Sequence, residues 1–335
     1  MATESSGLNP WESLQRTSRH ARDPELEALL RKLNEHLAKA RDLMDRPSSP
    51  RLPVLFVVGC ARGGSTLLMQ WLAATGLVAY PTNIMSRFYS DPYVGALIHR
   101  ILHDLDHRGE VFPDRSMSDS FSSELGRTRG ANAPHDFGYF WRRFFRFGET
   151  QDRLLAEPGP TEVAQLRSDV AAMEQVFAKP VLLKAMELNW QLPLLRSIFP
   201  DSVFLFIQRP VPENAISLLK ARVSYFGTDT AWYSYKPAEY ATVKDLPPWE
   251  QAVAQVWLTN RAVRTGLSSL PAADAIDVHY ERFCEAPLEL YAQLCQRLGL
   301  NKPYAGPASF SASAMPVDPH LTERARRIVD RLNAI

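Results

Sequence analysis

Leu52 to Ala74, LPVLFVVGCARGGSTLLMQWLAA, runs from an apolar stretch through a glycine-containing loop into a second apolar stretch. Pro53 to Val58 is Val-rich and has the length expected of a buried parallel strand. Gly59-Cys-Ala-Arg-Gly-Gly-Ser-Thr66 follows at once, and Leu67 to Ala74 reads as a helix. A strand, a glycine loop and a helix start make an anion site. Glycine lets the backbone approach closely, and the first free N–H groups of the helix point at a bound phosphate. The spacing is nearly GxxxxGK[ST], with Gly59 and Gly64 in register. Ser65 stands where a nucleotide hydrolase has its lysine, and Arg62 is the loop's only long cation. The stretch predicts a phosphate loop that is not built for ATP hydrolysis.

The rest of the chain supplies strands and helices in alternation. Pro180 to Lys184 and Val203 to Gln208 read as strands, as does Ala275 to Tyr280. Glu162–Phe177, Leu192–Phe199, Trp249–Leu270, Leu288–Leu298 and Leu321–Leu332 read as helices. The fold class is therefore α/β, a central parallel sheet with helices on both faces. Ligands in such sheets bind beyond the carboxyl ends of the strands. Arg62, Lys184, Arg209 and Tyr280 all fall at or just past strand ends, so they can converge.

Residues 1–50 form a polar segment, expected to be loosely ordered over 1–21, and an amphipathic helix. Asp23-Pro24 opens that helix, and Leu26, Leu29, Leu30, Leu33, Leu37 and Met44 carry its stripe to about Arg46. The stripe predicts a helix packed on its own domain, with a homodimer contact as the alternative. Residues 51–335 form the main domain, with insertions near 108–160 and 223–248. Pro92 to Leu105 reads as a helix on which His99, His103 and His107 recur every four residues. Arg100 stands where HExxH has its glutamate, and no acidic ligand is tied to the set, so no metal is expected.

Composition narrows the function. The 335 residues are 45% hydrophobic and 22% charged, with a net charge of +1. No global basic excess points to nucleic acid, so anion recognition must be local. Cys60, Cys284 and Cys295 show no metal spacing, cannot all pair, and suit a reducing compartment. No run approaches the roughly 18 apolar residues of a membrane span, and no leader is visible. The expected location is cytoplasmic.

A second anchor follows the third strand, in Gln208-Arg209-Pro210-Val-Pro-Glu-Asn-Ala-Ile-Ser217. An arginine leaving a strand and a serine on the next helix offer a guanidinium fork and a hydroxyl to one anion. With both anchors in order, the chain resembles the sulfotransferases that use 3′-phosphoadenosine 5′-phosphosulfate (PAPS). In that family a loop similar to [PG]x[RK]SGTT holds the 5′-phosphosulfate, and a later RxPxxxxxS-like element holds the 3′-phosphate. GCARGGSTLL and QRPVPENAIS are the matching segments here, and the resemblance covers roughly residues 50–300. It is nearest to bacterial-type members acting on small molecules or glycans. Gly63 replaces the family's usual serine, and Leu67 the tryptophan that stacks on adenine in cytosolic animal members. No RKGxxG-like segment appears near the C-terminus. Tyr80-Pro-Thr-Asn83 lacks the acidic base of the tyrosyl-protein members.

The resemblance implies a P-loop-like sulfotransferase architecture and sulfuryl transfer from PAPS to a hydroxyl or amine of a small-molecule, glycan or lipid acceptor. Such transfer resembles phosphoryl transfer, with a loose in-line transition state and charge moving onto the leaving phosphate. Arg62 is placed for the bridging oxygen, and Gly63, Gly64, Ser65 and Thr66 for the 5′-phosphate. Arg209 and Ser217 are placed for the 3′-phosphate, and Lys184 for sulfuryl charge. No metal is required. For the base, His135 is the first choice, with Asp136 beside it and an aromatic run behind, and Glu187 the second; Asp136 and His103 follow. A P-loop small-molecule kinase and a non-catalytic PAPS-binding protein are the alternatives.

Overall fold

In the computed structural model the first apolar run becomes one of the two inner strands of a four-stranded parallel sheet. The described residues are 15–112, 121–312 and 317–333, apart from the side chain of Asp42. In chain order the elements are α1 (Pro24–Ala40), β1 (Leu55–Val58), α2 (Ser65–Thr75), α3 (Pro92–His99), α4 (Gly138–Trp141), β2 (Arg146–Phe147) and β3 (Leu154–Ala156). They continue with α5 (Pro160–Phe177), β4 (Leu182–Lys184), α6 (Leu192–Ile198), β5 (Val203–Gln208), α7 (Val211–Phe226), α8 (Tyr240–Val243) and α9 (Pro248–Ser268). The chain then runs through β6 (Ala275–His279), α10 (Tyr280–Glu285), α11 (Pro287–Leu298) and α12 (Pro319–Asn333).

The sheet order is β4-β1-β5-β6, all parallel, while β2 and β3 form a separate antiparallel pair. From β1 the chain crosses to β4 on one side, then returns to β5 on the other. That reversal opens a crevice at the carboxyl end of β1. Side chains alternate between two apolar layers, as period-2 strands buried on both faces require. Phe56, Leu183 and Phe204 pack with α5 and α6, whereas Leu55, Leu182 and Leu205 pack with α2 and α11. A third cluster lies between α7, α9 and α12.

Three local readings are corrected. The helix over 92–105 is α-helical only to His99, and Arg100–Asp104 is a π-helical turn. The amphipathic helix stops at Ala40, and its stripe is not a packed face. Leu26, Leu29 and Leu33 are 40%, 59% and 37% exposed, and Asn34 is the buried residue of α1. Polar contacts hold α1 in place instead. Asn34 donates to the Arg87 carbonyl at 2.8 Å and accepts the Ser90 N–H at 2.9 Å, while Arg41 pairs with buried Asp169. Within the segment expected to be loose, residues 1–14 lie outside the described residues. The remainder is packed: His20 stacks on Tyr225 with ring centroids 3.9 Å apart, and the Thr17 N–H donates to the Tyr225 carbonyl at 2.9 Å. Among the described residues no helix is long and apolar enough to cross a membrane.

Candidate functional site

The loop after β1 is shaped by close approach. Gly59 has φ +132°, and a Cβ there would stand 2.3 Å from the Ile207 carbonyl oxygen of β5. Gly64 has φ +103°, and a Cβ would meet the Tyr280 ring at 2.2 Å. Larger residues at either position would displace backbone or ring. Asn189 clamps the loop's start, accepting the Gly59 N–H at 3.0 Å and donating to its carbonyl at 2.8 Å. Asn214 on α7 donates to the Ala61 carbonyl at 2.8 Å. Arg62 itself is held at φ +65°, a region a non-glycine residue enters only under constraint.

The first intrahelical bond of α2 runs from the Leu68 N–H to the Gly64 carbonyl, so the N–H groups of Ser65, Thr66 and Leu67 have no acceptor within the helix. They suit an anion together with the positive end of the helix dipole. Gly63 differs, because its N–H already donates to the Cys60 carbonyl at 3.1 Å. A Cβ at Gly63 would lie 3.0 Å from that same oxygen, so glycine fits the tight turn where the family's usual serine would crowd it. Cys60 is buried, and burial pushes its thiol up to about 12, which leaves it a packing residue rather than a nucleophile.

The two anchors meet. Arg62 Nε donates to Ser217 Oγ on α7 at 3.3 Å, across 155 positions of sequence. Arg209 leaves β5 nearly buried, with its guanidinium 4.8 Å above the Tyr280 ring and Nε 3.5 Å from Glu281. Tyr280 therefore touches both Gly64 and Arg209. Arg62, Lys184, Arg209 and Tyr280 all face one cavity of about 1560 Å³. Among the described residues, nine arginine or lysine side chains line it against three carboxylates. A nearly neutral chain thus concentrates positive charge in its main cleft, as an anionic ligand requires.

The same cavity is also lined by a group of titratable side chains. Lys184 at the end of β4 is nearly buried, and its Nζ lies 2.8 Å from Asp136 Oδ1. Trp141 fixes the strand end by donating to the Lys184 carbonyl at 2.8 Å. His135 Nδ1 accepts the Phe137 N–H at 2.9 Å, which places the proton of the neutral ring on Nε2. Burial lowers the His135 pKa, and Arg87 and Lys184 add to this against the pull of Asp136. Neutral His135, which lines the cavity, therefore carries its donor on Nε2. Glu187 is buried with its carboxylate 3.9 Å from Arg142 Nε, and it stands behind the residues that line the cavity. Tyr235 does line it, and burial beside Glu187 and Asp136 holds its hydroxyl protonated. Tyr235 and Arg142 were not singled out in the sequence, where only the local density of aromatics and arginines marked their segments.

His99 and His103 group with Asp104 rather than with His107, which corrects the expectation that no acidic side chain is tied to these histidines. The π-helical turn brings Asp104 to His99 at 3.4 Å and to His103 at 3.1 Å, while His107 is exposed. Burial works against the Asp104 charge, but hydrogen bonds from both rings win and hold its carboxyl at about 2.

The sequence matches the sulfotransferase family over residues 53–304, well over half of the chain. The chain belongs to the sulfotransferase family. No curated protein matches it. Among solved structures it is similar to sulfotransferase STF9 from Mycobacterium avium, at 11% identity and a TM-score of 0.50, with 92% of this chain and 75% of that one covered. A sulfotransferase from Alicyclobacillus acidocaldarius is similar at 17% identity and a TM-score of 0.43, covering 84% and 94%. The sulfotransferase domain from the curacin biosynthetic pathway is similar at 14% and 0.44, covering 85% and 99%. The likeness to STF9 speaks to fold alone and supports the P-loop-like α/β architecture. In this sulfotransferase both anchors, the loop after β1 and the start of α7, lie inside the matched region.

Proposed function

We propose that this sulfotransferase uses PAPS as donor and transfers its sulfuryl group to a hydroxyl or amine of a small-molecule, glycan or lipid acceptor. The observation that carries the reading is the contact between Arg62 and Ser217, which joins the two phosphate anchors in one basic cavity. The N–H groups of Ser65 and Thr66, with their hydroxyls, hold the 5′-phosphate, and Gly63 and Gly64 shape the loop around it. Arg62 turns from Ser217 to the bridging oxygen as charge develops there. Arg209 and Ser217 take the 3′-phosphate, with Glu281 giving way at the exposed edge.

Lys184, paired with Asp136, contacts the sulfuryl oxygens. The acceptor oxygen attacks sulfur as the bond from sulfur to the bridging phosphate oxygen breaks, and adenosine 3′,5′-bisphosphate leaves. The acceptor proton passes to Asp136, the carboxylate that both lines the cavity and touches Lys184. His135, with its proton on Nε2, orients the acceptor by donating to it, and Glu187 holds Arg142 in place. The free thiols of Cys60, Cys284 and Cys295 suit a reducing, cytoplasmic setting.

The test is turnover of purified protein with PAPS, read as adenosine 3′,5′-bisphosphate released, alongside ATP with magnesium. Release from PAPS with a hydroxyl acceptor is expected. Turnover of ATP alone would make the chain a kinase, and tight PAPS binding with no turnover across acceptors would make it a binding protein.

A further inference from the structure

We infer that the acceptor is an amphiphile, whose reacting hydroxyl sits at Asp136 and whose alkyl chain lies along an apolar wall built by α1, the turn at 84–90 and α3. This inference rests on the sulfotransferase reading above. Ion pairs and hydroxyls surround the reacting end, yet the same cavity is continued by Leu26 and Leu30 of α1, Ile84 and Phe88 of the turn, and Ile98 and Leu102. These three elements form one surface. Asn34 ties α1 to Arg87 and Ser90 in the turn, and Thr82 Oγ1, just before the turn, accepts the Met85 N–H at 3.2 Å and lies 3.2 Å from His99 Nδ1 of α3. The Tyr139 hydroxyl donates to Glu27 at 2.7 Å, which brings α1 against the aromatic run beside Asp136.

Size supports a long ligand. A typical small-molecule cavity is about 300–1,000 Å³, and this one is about 1560 Å³, room for a nucleotide and a second extended molecule. A compact phenol or sugar would occupy the polar centre and leave the apolar wall in water. On α1 the four-residue step from Leu26 to Leu30 covers about 6 Å of one face, and the cavity lining passes from Ile98 at the end of α3 to Leu102 in the π-helical turn. That layout suits a chain laid lengthwise. The wall also reaches the surface: Leu26, Leu29, Ile101 and Leu105 are exposed around the same elements, so a long chain keeps apolar contact as it leaves.

The experiment uses the full chain with adenosine 3′,5′-bisphosphate saturating, and titrates methyl, butyl, octyl and dodecyl glucosides below their micelle concentrations by calorimetry. Affinity should rise by up to about fourfold per added methylene between butyl and octyl. Leu30→Gln and Leu102→Gln should each flatten that dependence while the affinity for adenosine 3′,5′-bisphosphate stays within about twofold. A flat series, or a series equally steep in the variants, overturns the inference. Nucleotide binding is read separately, so a protein that follows chain length without binding the nucleotide breaks the donor reading instead. Sedimentation of the same samples reads the other use of the leucines. A dimer through α1 with no dependence on chain length assigns them to a second copy of the chain and overturns the wall.

Discussion

At the donor end of the cavity, Gly59 lies against the Ile207 carbonyl and Gly64 against the Tyr280 ring, while Asn189 and Asn214 clamp the loop from neighbouring elements. At the acceptor end, Lys184 meets Asp136 from 48 positions away, His135 bonds to Phe137, and α1 closes on Tyr139 through one hydrogen bond. The donor end is shaped by backbone that tolerates almost no added atom. The acceptor end is assembled from side chains on an insertion and on a helix that precedes the sheet. A shared co-substrate needs the first kind of construction, because positioning the bond to be broken dominates the rate. A variable substrate suits the second, because loop-borne and appended groups can be exchanged without disturbing the sheet.

That contrast can be broken most sharply at Arg62. Arg62→Ala should lower turnover by about a thousandfold while the affinity for adenosine 3′,5′-bisphosphate changes by less than about threefold, since its contact strengthens as the bridging oxygen gains charge. Single-turnover rates and nucleotide titrations check this, and Arg62→Lys should restore part of the rate. Next in size, Asp136→Asn should cost about a hundredfold in turnover with an alcohol acceptor. The loss should shrink for an acidic phenol that needs no base, and a uniform loss across both acceptors would move Asp136 from proton transfer to positioning Lys184.

Arg209→Ala should weaken PAPS by about ten- to a hundredfold, the range for losing a charged hydrogen bond, and leave adenosine 5′-phosphosulfate nearly unchanged. Equal weakening of both would separate Arg209 from the 3′-phosphate. The smallest effect belongs to His135. Its pKa is lowered by folding, so its contribution to stability is present above the unfolded value near 6.5 and is lost as pH falls through the folded value. Thermal melts of the parent should therefore drop more between neutral and acidic pH than melts of His135→Asn, whose amide oxygen can still accept the Phe137 N–H. Turnover of that variant near neutrality should stay within about threefold. A hundredfold loss there would return the base to His135.

The donor end was the more legible of the two because its signals are local. Gly59 and Gly64 keep P-loop spacing, Arg62 and Ser65 depart from it in one readable way, and β5 spans the Val203–Gln208 run read from its apolar pattern. Helix caps were legible too: Asp23 accepts the N–H groups of Glu25 and Leu26, and Gly299 ends α11 at φ +63°. The acceptor end was not, because its chemistry depends on which side chains meet across the fold. Nothing local says that Lys184 reaches Asp136, or that the Phe137 N–H occupies His135 Nδ1. The stripe of α1 carried the right period and misled about burial. Asn34, at the centre of the helix, makes the fixing contacts that the leucines were expected to make. The π-helical turn at Arg100–Asp104 also has no signature of its own, since every residue in it is compatible with an ordinary helix.

The family match begins at residue 53, whereas α1 ends at Ala40. The wall proposed to face the acceptor is thus partly written outside the matched stretch. Selectivity and catalysis can then drift on separate clocks. Exchanging Leu26, Glu27 and Leu30 retunes what is accepted while the glycine loop, the sheet and the donor stay as they are. For engineering, libraries at Leu26, Glu27 and Leu30 would sample new acceptors while leaving Asn34 and Arg41, which tie the helix to Arg87 and Asp169, in place.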